Sequence, residues 1–197
     1  MSVAVSVIDT KIANTASILA GLRRAGLEPT LVSSPQSIRE SNALVLPGVG
    51  SFEAGISSLR ENSLIDPLKH HVNDGKPFLS VCLGMQLLFE SSEESPGFTG
   101  LSLLPGHLQR FPSDVVVPHF GWNRLESNNT FFPEDYVYFA NSFCLTTPPD
   151  GWTYATCRHG ENFVAGIQKG SQCALQFHPE ISGKAGAQIL ANWRQSW

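Results

Sequence analysis

Short apolar runs alternate with helical patterns over roughly the first 90 residues, and this alternation limits the possible folds more than any other sequence feature. The run from Val3 to Ile8 is rich in β-branched residues and bounded by polar ones, which is typical of a buried strand. Strands separated by helices predict a parallel sheet that is covered by helices on both faces. The expected strands are 3–8, 30–32, 43–46 and 78–81, and the expected helices are 14–26, 51–62, 64–73 and 83–89.

After about residue 95 the pattern changes to short strands separated by Gly, Pro and Asn turns. These segments predict antiparallel hairpins and edge strands, followed by a final helix from 183 to about 194. No repeat, low-complexity tract or long linker divides the chain, so we expect one domain over residues 1–197. The predicted fold class is a single α/β domain with a mostly parallel central sheet flanked by helices and additional antiparallel strands in the second half. The expected later strands are 108–111, 115–117, 137–140, 153–157, 163–169 and 173–177.

The composition excludes several classes of function. Of the 197 residues, 42% are hydrophobic and only 15% are charged, which excludes a disordered chain. The formal net charge is −4 and Lys and Arg do not cluster, so a nucleic-acid or anionic-membrane surface is not expected. The low fraction of charged residues in so apolar a chain is a first indication that a partner covers part of its surface.

The four cysteines, Cys82, Cys144, Cys157 and Cys173, indicate a reducing compartment. None forms a Cys-x-x-Cys pair, and their wide spacing suits neither a disulfide scaffold nor a zinc site. The first residues lack a basic segment and a signal-length apolar run, and no run approaches the ~18 apolar residues of a membrane span. We therefore expect a cytoplasmic protein that needs no metal and no cofactor.

Cys82 is the candidate nucleophile. It lies between the expected strand 78–81 and the expected helix 83–89, where a sharp turn exposes a side chain at the carboxyl edge of a sheet. Such a turn needs small neighbours, and Ser80 and Gly84 flank the cysteine. The helix that follows favours the thiolate, the reactive form of the side chain. A buried structural cysteine is the alternative, and it is the interpretation we give to the other three.

Two further segments supply the partners that a nucleophilic cysteine needs. His178 and Glu180 lie two residues apart in an extended segment, so the carboxylate can orient the imidazole and the imidazole can deprotonate a thiol. The glycines of the 47–50 segment leave backbone N–H groups free to stabilise an oxyanion, together with the N–H of Leu83. Alone, the first segment would be a surface turn and the second an ordinary βα turn. Together with Cys82 they predict a Cys-His-Glu acyl-transfer site.

These residues resemble the class I (triad) glutamine amidotransferases, whose fold is flavodoxin-like. Segment 81–89 is similar to the family's nucleophile segment, 46–52 to its oxyanion loop and 177–180 to its triad completion. The resemblance implies that Cys82 attacks the side-chain amide of L-glutamine and forms a glutamyl thioester. It further implies that His178 transfers the proton to the departing ammonia and that Glu180 holds the imidazole tautomer.

The same resemblance implies the remaining site residues. The N–H groups of Gly50 and Leu83 would stabilise the oxyanion after a reorientation of the peptide at Val49. The positions that match the family's glutamine-binding residues are Gln86, Glu94, Tyr138 and Ser142. Without the triad, these four would be a helix-face Gln, a surface Glu, a strand-end Tyr and a turn Ser.

Within the family, segments 118–124 and 92–94 resemble the glutaminase subunits of imidazole glycerol phosphate synthase. That resemblance implies a heterodimer with a (β/α)8-barrel cyclase subunit, because a glutaminase of this length leaves no residues for an acceptor site. Asn14, Trp122 and Ile181 would contact that partner. The sequence departs from the family at Ile181, where a basic residue is common, at 11–13, and at Asn141, which replaces a His.

Three alternatives remain open, and the departures at Ile181 and 11–13 motivate the first of them. The first is a paralogous glutaminase that supplies ammonia to a different acceptor synthase, for example in sugar modification. The second is a non-catalytic interaction module, which the joint presence of Cys82, His178 and Glu180 disfavours. The third is a cysteine peptidase of similar fold, which Gln86 and Glu94 disfavour because they suit a free amino acid.

Overall fold

The computed structural model describes residues 3–11 and 15–197, and every statement about the structure refers to these residues. The strands are β1 Val3–Ile8, β2 Leu27–Val32, β3 Leu44–Leu46, β4 Phe78–Val81, β5 Ser91–Ser92, β6 His107–Arg110, β7 His119–Arg124, β8 Tyr136–Asn141, β9 Phe143–Cys144, β10 Thr153–His159, β11 Glu161–Lys169 and β12 Gln172–Leu175. The helices are α1 Thr15–Arg24, α2 Pro35–Glu40, α3 Phe52–Glu61, α4 Ile65–Asn73, α5 Leu83–Gln86 and α6 Gly183–Gln195, and residues Pro179–Ile181 form a single 3-10 turn.

A seven-stranded sheet organises the described chain, in the order β10-β11-β12-β4-β3-β1-β2. The strands from β12 to β2 pair in parallel, and β11 and β10 add an antiparallel edge. Parallel strands all end at the same edge of a sheet, so the segments that follow β3, β4 and β12 meet there. The smaller pairings β5-β6-β9 and β7-β8 lie outside this sheet.

Two apolar cores cover the two faces of the sheet, because successive side chains of a strand point to opposite faces. Leu79 and Val81 of β4 pack on the side that also holds Leu22 of α1 and Ile189 of α6. Phe78 lies on the other side, together with side chains from α3, α4 and α5. None of the helices in the described ranges is long and apolar enough to cross a membrane.

The predicted fold class is confirmed, and several of its details are corrected. Residues 115–117 do not form a strand; Pro112 and Pro118 flank them and lack the N–H that strand pairing needs. Segment 173–177 forms an antiparallel hairpin with β11 as predicted but is not an edge strand, because β12 lies between β11 and β4 and pairs in parallel with β4. The helix after Cys82 ends at Gln86, because the carbonyls of Leu87 and Leu88 instead accept hydrogen bonds from the 101–104 segment.

The sequence analysis also missed helix α2, strand β7 and the two-residue strands β5 and β9. Helix α2 is short and begins at a capping box built by Ser34 and Ser37, with Pro35 in its first turn. Strand β7 pairs antiparallel with β8 and contains the 119–124 part of the segment that carried the subfamily resemblance. Asn14, the expected start of the first helix, lies outside the described residues.

Candidate active site

Cys82 occupies a strained turn between β4 and α5. Its backbone has φ of 55°, in the left-handed region that residues with a side chain rarely adopt. The Cys82 N–H donates to the carbonyl of Leu175 at 2.7 Å, which fixes the turn to β12. A Cβ added to Gly84 would lie 2.0 Å from the carbonyl oxygen of Leu46, so only glycine lets α5 begin so close to β3. The turn thus presents the thiol at the carboxyl edge of the sheet, 6% exposed.

His178 and Glu180 reach the same edge from the end of β12. Nδ1 of His178 and Oε1 of Glu180 are 2.9 Å apart, and these two side chains are 12% and 7% exposed. Burial opposes protonation of His178, but hydrogen bonds and charge interactions with Cys82 and Glu180 outweigh it and raise its pKa to about 10. Because Nδ1 is hydrogen-bonded to the carboxylate, Nε2 is the ring nitrogen that can exchange a proton with the thiol. The structure therefore brings the three residues together.

Neighbouring elements hold this pair in place. Ser182 Oγ donates to the His178 carbonyl at 2.6 Å and accepts from the Tyr138 N–H at 2.9 Å. Arg24 of α1 donates from Nη2 to the Glu180 carbonyl at 2.6 Å. A Cβ on Gly21 would lie 2.6 Å from Glu180 Cβ, so helix α1 packs directly against the carboxylate residue.

A cavity of about 330 Å³ opens above Cys82. It brings together seven more of the predicted residues: Val49, Gly50, Leu83, Gln86, Glu94, Ser142 and His178. Gly50 has φ of +100°, a conformation that suits glycine. Leu83 is the first residue of α5, where a backbone N–H has no acceptor within its own helix.

A thiol, an imidazole and backbone N–H groups on the wall of one cavity, with a carboxylate bonded to the far side of the imidazole, form the arrangement of nucleophilic acyl transfer. The class-I glutamine amidotransferase family matches residues 6–195. The chain belongs to the class-I glutamine amidotransferases.

Similar proteins agree with this membership. The imidazole glycerol phosphate synthase subunit HisH of Synechococcus elongatus is 40% identical over 199 residues, which cover 96% of this chain and 91% of that protein. The HisH subunit of Carboxydothermus hydrogenoformans is 38% identical over 195 residues, which cover 96% and 98%. A solved structure of a glutamine amidotransferase superposes with a TM-score of 0.78, covering 98% of this chain and 97% of that one. At 19% identity, this likeness supports the fold alone.

The predicted glutamine-binding residues of this amidotransferase occupy different places. Gln86 lies on the wall of the main cavity, where its Nε2 donates to the Phe143 carbonyl at 3.1 Å. Glu94 lies on the same wall, and its Oε2 accepts the Phe52 N–H at the start of α3 at 2.7 Å. Ser142 also lines this cavity, whereas Tyr138 does not.

Tyr138 instead lines a second cavity, of about 150 Å³, on the other side of His178. Val49, Glu180 and Ile181 line this cavity too. Around the two openings lie exposed apolar side chains, those of Val49, Phe120, Trp122 and Ile181. Trp122 and Ile181, two of the residues predicted to face a partner, are thus solvent-exposed here, and the third, Asn14, lies outside the described residues.

The other three cysteines are poor nucleophiles. Burial is the main cause that raises the pKa of the Cys144 and Cys157 thiols to about 12, and burial raises that of Cys173 well above the usual value. Within residues 3–11 and 15–197, no group of His, Cys, Asp and Glu is arranged to hold a metal ion.

Sequence reasoning missed several residues that shape the site. Gln176 directly precedes the 177–180 segment and received no role, although its side chain contacts Cys82. Ser182, Arg24 and Gly21 act through backbone contacts to His178 and Glu180. Only the short distance of Gln176 and Ser182 from His178 in the sequence could have pointed to them; α1 lies more than 150 residues away along the chain.

Proposed function

We propose that the chain hydrolyses L-glutamine to glutamate and ammonia and passes the ammonia to a separate (β/α)8-barrel cyclase subunit. That subunit would use it to make imidazole glycerol phosphate and AICAR in histidine biosynthesis. The Cys82-His178-Glu180 arrangement carries the first part of this proposal. The second part is supported by relatives that are 38–40% identical over nearly the whole chain and are named as imidazole glycerol phosphate synthase subunits.

The first half-reaction forms a thioester. The Cys82 sulfur attacks the carboxamide carbon of glutamine, and the negative charge that develops on the carboxamide oxygen is stabilised by the N–H groups of Gly50 and Leu83. A reorientation of the Val49–Gly50 peptide would direct its N–H towards this oxygen. His178, protonated within the pair, donates its proton to the leaving nitrogen, and the C–N bond breaks to release ammonia.

The second half-reaction regenerates the Cys82 thiolate. His178, now neutral, takes a proton from a water molecule as that water attacks the thioester carbon. The C–S bond breaks, glutamate leaves, and the sulfur again faces a protonated imidazole. Glu180 keeps Nδ1 protonated throughout, so that Nε2 always points to the reacting atoms.

Substrate recognition is assigned to the wall of the main cavity. The Glu94 carboxylate, already fixed by the Phe52 N–H, attracts the α-ammonium group of glutamine. Gln86 and Ser142 provide neutral hydrogen-bonding groups on the same wall. Tyr138 contributes from the second cavity, where it borders His178 rather than the substrate carbons.

The second cavity is the path that we propose for ammonia. It shares His178 and Val49 with the main cavity and is bordered by the exposed Ile181. A partner seated on Val49, Phe120, Trp122 and Ile181 would bury apolar surface and shelter ammonia from protonation in water. Asn14 belongs to the same proposed interface. Four free cysteines suit a reducing compartment, so we place the reaction in the cytoplasm.

The decisive experiment compares the wild-type chain, Cys82→Ala and the matched control Cys157→Ala, each with and without the barrel subunit. We expect negligible glutaminase activity from the chain alone and strong activity in the complex with the histidine-pathway nucleotide. Cys82→Ala should be inactive and Cys157→Ala active. Activity that survives Cys82→Ala would refute the triad, and a wild-type chain that neither binds the barrel nor yields its product would refute the assigned pathway.

A further inference from the structure

Gln176 is a buried polar side chain beside the nucleophile that the mechanism above does not use. It directly follows β12, lies two residues before His178 and is 1% exposed. Its backbone N–H is already satisfied by the Ala165 carbonyl at 2.8 Å. Its carboxamide Nε2 lies 3.9 Å from the sulfur of Cys82, and its Oε1 accepts a hydrogen bond from Gln86 Nε2 at 3.0 Å.

The orientation of this carboxamide follows from its neighbours. The Phe143 carbonyl can only accept a hydrogen bond, so the Gln86 atom 3.1 Å from it is the donor nitrogen Nε2. The same nitrogen also faces Gln176 at 3.0 Å, so the Gln176 atom that it meets is the acceptor oxygen. The NH₂ group of Gln176 is therefore the end that faces the Cys82 sulfur.

We propose that Gln176 is a second group acting on the nucleophile, alongside His178: its amide N–H donates to the Cys82 sulfur and stabilises the thiolate. This role deepens the glutaminase mechanism and rests on that proposed function. Cys82 is only 6% exposed, so its sulfur has little water around it and the protein's own donors determine how well its charge is solvated. A hydrogen bond to an ionised acceptor is stronger than one between neutral groups, so this contact favours the thiolate over the thiol.

A neutral hydrogen-bond donor beside the Cys82 sulfur has a different effect on His178 from that of a second cation. The ionisable groups around the sulfur are His178, which contacts it, Glu180 behind the imidazole, and Glu94 on the facing cavity wall. A lysine in place of Gln176 would oppose protonation of His178 by charge repulsion, whereas an amide stabilises the thiolate without that effect. The hydrogen bond weakens when the sulfur becomes part of the thioester and is restored when the thiolate returns.

The carboxamides also link substrate and nucleophile. Gln86 lines the cavity assigned to glutamine and holds Gln176, which in turn holds Cys82. Gln86 thereby keeps the thiolate donor oriented in addition to its proposed contact with the substrate.

The test is the rate at which iodoacetamide alkylates the chain as a function of pH. Cys144, Cys157 and Cys173 hold raised pKa values, so labelling between about pH 6 and 9 reports Cys82, with Cys82→Ala as the blank. In Gln176→Met and Gln176→Leu, which keep most of the volume but lack the donor, we expect alkylation at pH values below the wild-type midpoint to slow about tenfold. The midpoint of the profile should rise by about one pH unit.

Gln172→Met is the matched control, because Gln172 lies on the same strand β12 and its side chain bonds to the Val72 carbonyl, remote from Cys82. It should alkylate as the wild type does. Two Gln176 variants are used so that the test survives if one fails to fold, which thermal unfolding reports. A rate within about twofold of wild type and an unmoved midpoint in a folded Gln176 variant would overturn the proposal.

The alkylation result does not depend on whether the proposed glutaminase function is correct. Alkylation needs neither glutamine nor the partner, so it tests Gln176 even if the chain hydrolyses no glutamine. Where the complex is active, Gln176→Met should lower kcat about tenfold and change KM for glutamine far less, because the residue contacts the sulfur and not the substrate. An unchanged kcat in an active complex would also overturn the proposal, while leaving the glutaminase function intact.

Discussion

Replacing Gly21 by alanine tests whether helix α1 sets the position of the triad carboxylate. The added Cβ would lie 2.6 Å from Glu180 Cβ and 2.9 Å from its Cα. Both are backbone-proximal atoms that no rotamer change can move away. Arg24, one turn further along α1, donates a hydrogen bond to the Glu180 carbonyl at 2.6 Å. Moving the helix away from the 3-10 turn would therefore also stretch this bond.

The size of the effect follows from these distances. An ordinary contact begins at 3.4 Å, so Glu180 and α1 must move apart by about 0.8 Å. If Glu180 takes the movement, its 2.9 Å contact with His178 lengthens to about 3.7 Å, which is no longer a hydrogen bond. Misplacement of a catalytic group by ~1 Å costs about 10²-fold in rate. We therefore expect kcat to fall about 10²-fold.

The assay is glutamine hydrolysis in the complex with the barrel subunit, at a temperature well below unfolding. Alanine favours a helix by up to ~1 kcal/mol over glycine, so a general loss of helix stability cannot explain the result. Gly21→Ser should lose at least as much activity, and Ala20→Ser, at the half-buried neighbouring position, should lose little. A Gly21→Ala variant with kcat within about threefold of wild type would refute the reasoning that α1 positions Glu180.

Three further predictions follow from single side chains. Glu180→Gln keeps the bulk of the side chain but removes the charge that helps to hold the His178 pKa near 10. We expect kcat to fall about 10³–10⁴-fold and an NMR titration to show a lower His178 pKa. An unchanged titration would contradict this prediction. Burial and the nearby His159 lower the pKa of His119 to about 4, so the unfolded chain binds more protons than the folded chain between about pH 6.5 and 4. In urea titrations, this difference should lower the free energy of unfolding by about 2–3 kcal/mol from pH 7 to 4.5. The decrease should be smaller in His119→Gln. Trp122→Ala removes a side chain that is 54% exposed, so calorimetry should show partner affinity falling by about tenfold or more with Tm unchanged, and unaltered affinity would exclude Trp122 from the interface.

The parallel half of the fold was predictable because its signals are local. Segments 3–8 and 78–81 form strands with the predicted bounds, since each is a short run of mostly apolar residues with a single serine inside it. Helices α3 and α4 lie within one residue of the predicted ends. Strand β7 was not predictable in this way, because it is not a continuous apolar run. Its residues alternate between the two sides, and its large apolar side chains, Phe120 and Trp122, lie on the exposed side.

Contacts between distant segments were the other limit. Nothing in the composition of α1 shows that Gly21 and Arg24 meet Glu180. The hydrogen bond between Gln86 and Gln176 joins residues 90 positions apart, and it exists only because α5 begins where β12 ends. Such contacts depend on strand order, which local periodicity does not determine.

Strand order is also what makes the site. The oxyanion loop follows β3, Cys82 follows β4 and His178 follows β12, and these strands are neighbours in the order β12-β4-β3. The nucleophile therefore lies between its base on one side and its oxyanion donors on the other. An edge position for 173–177 would have put His178 away from Cys82. A catalytic motif that requires two segments to meet is thus a constraint on topology: a triad with Cys82 at its centre requires β12 beside β4.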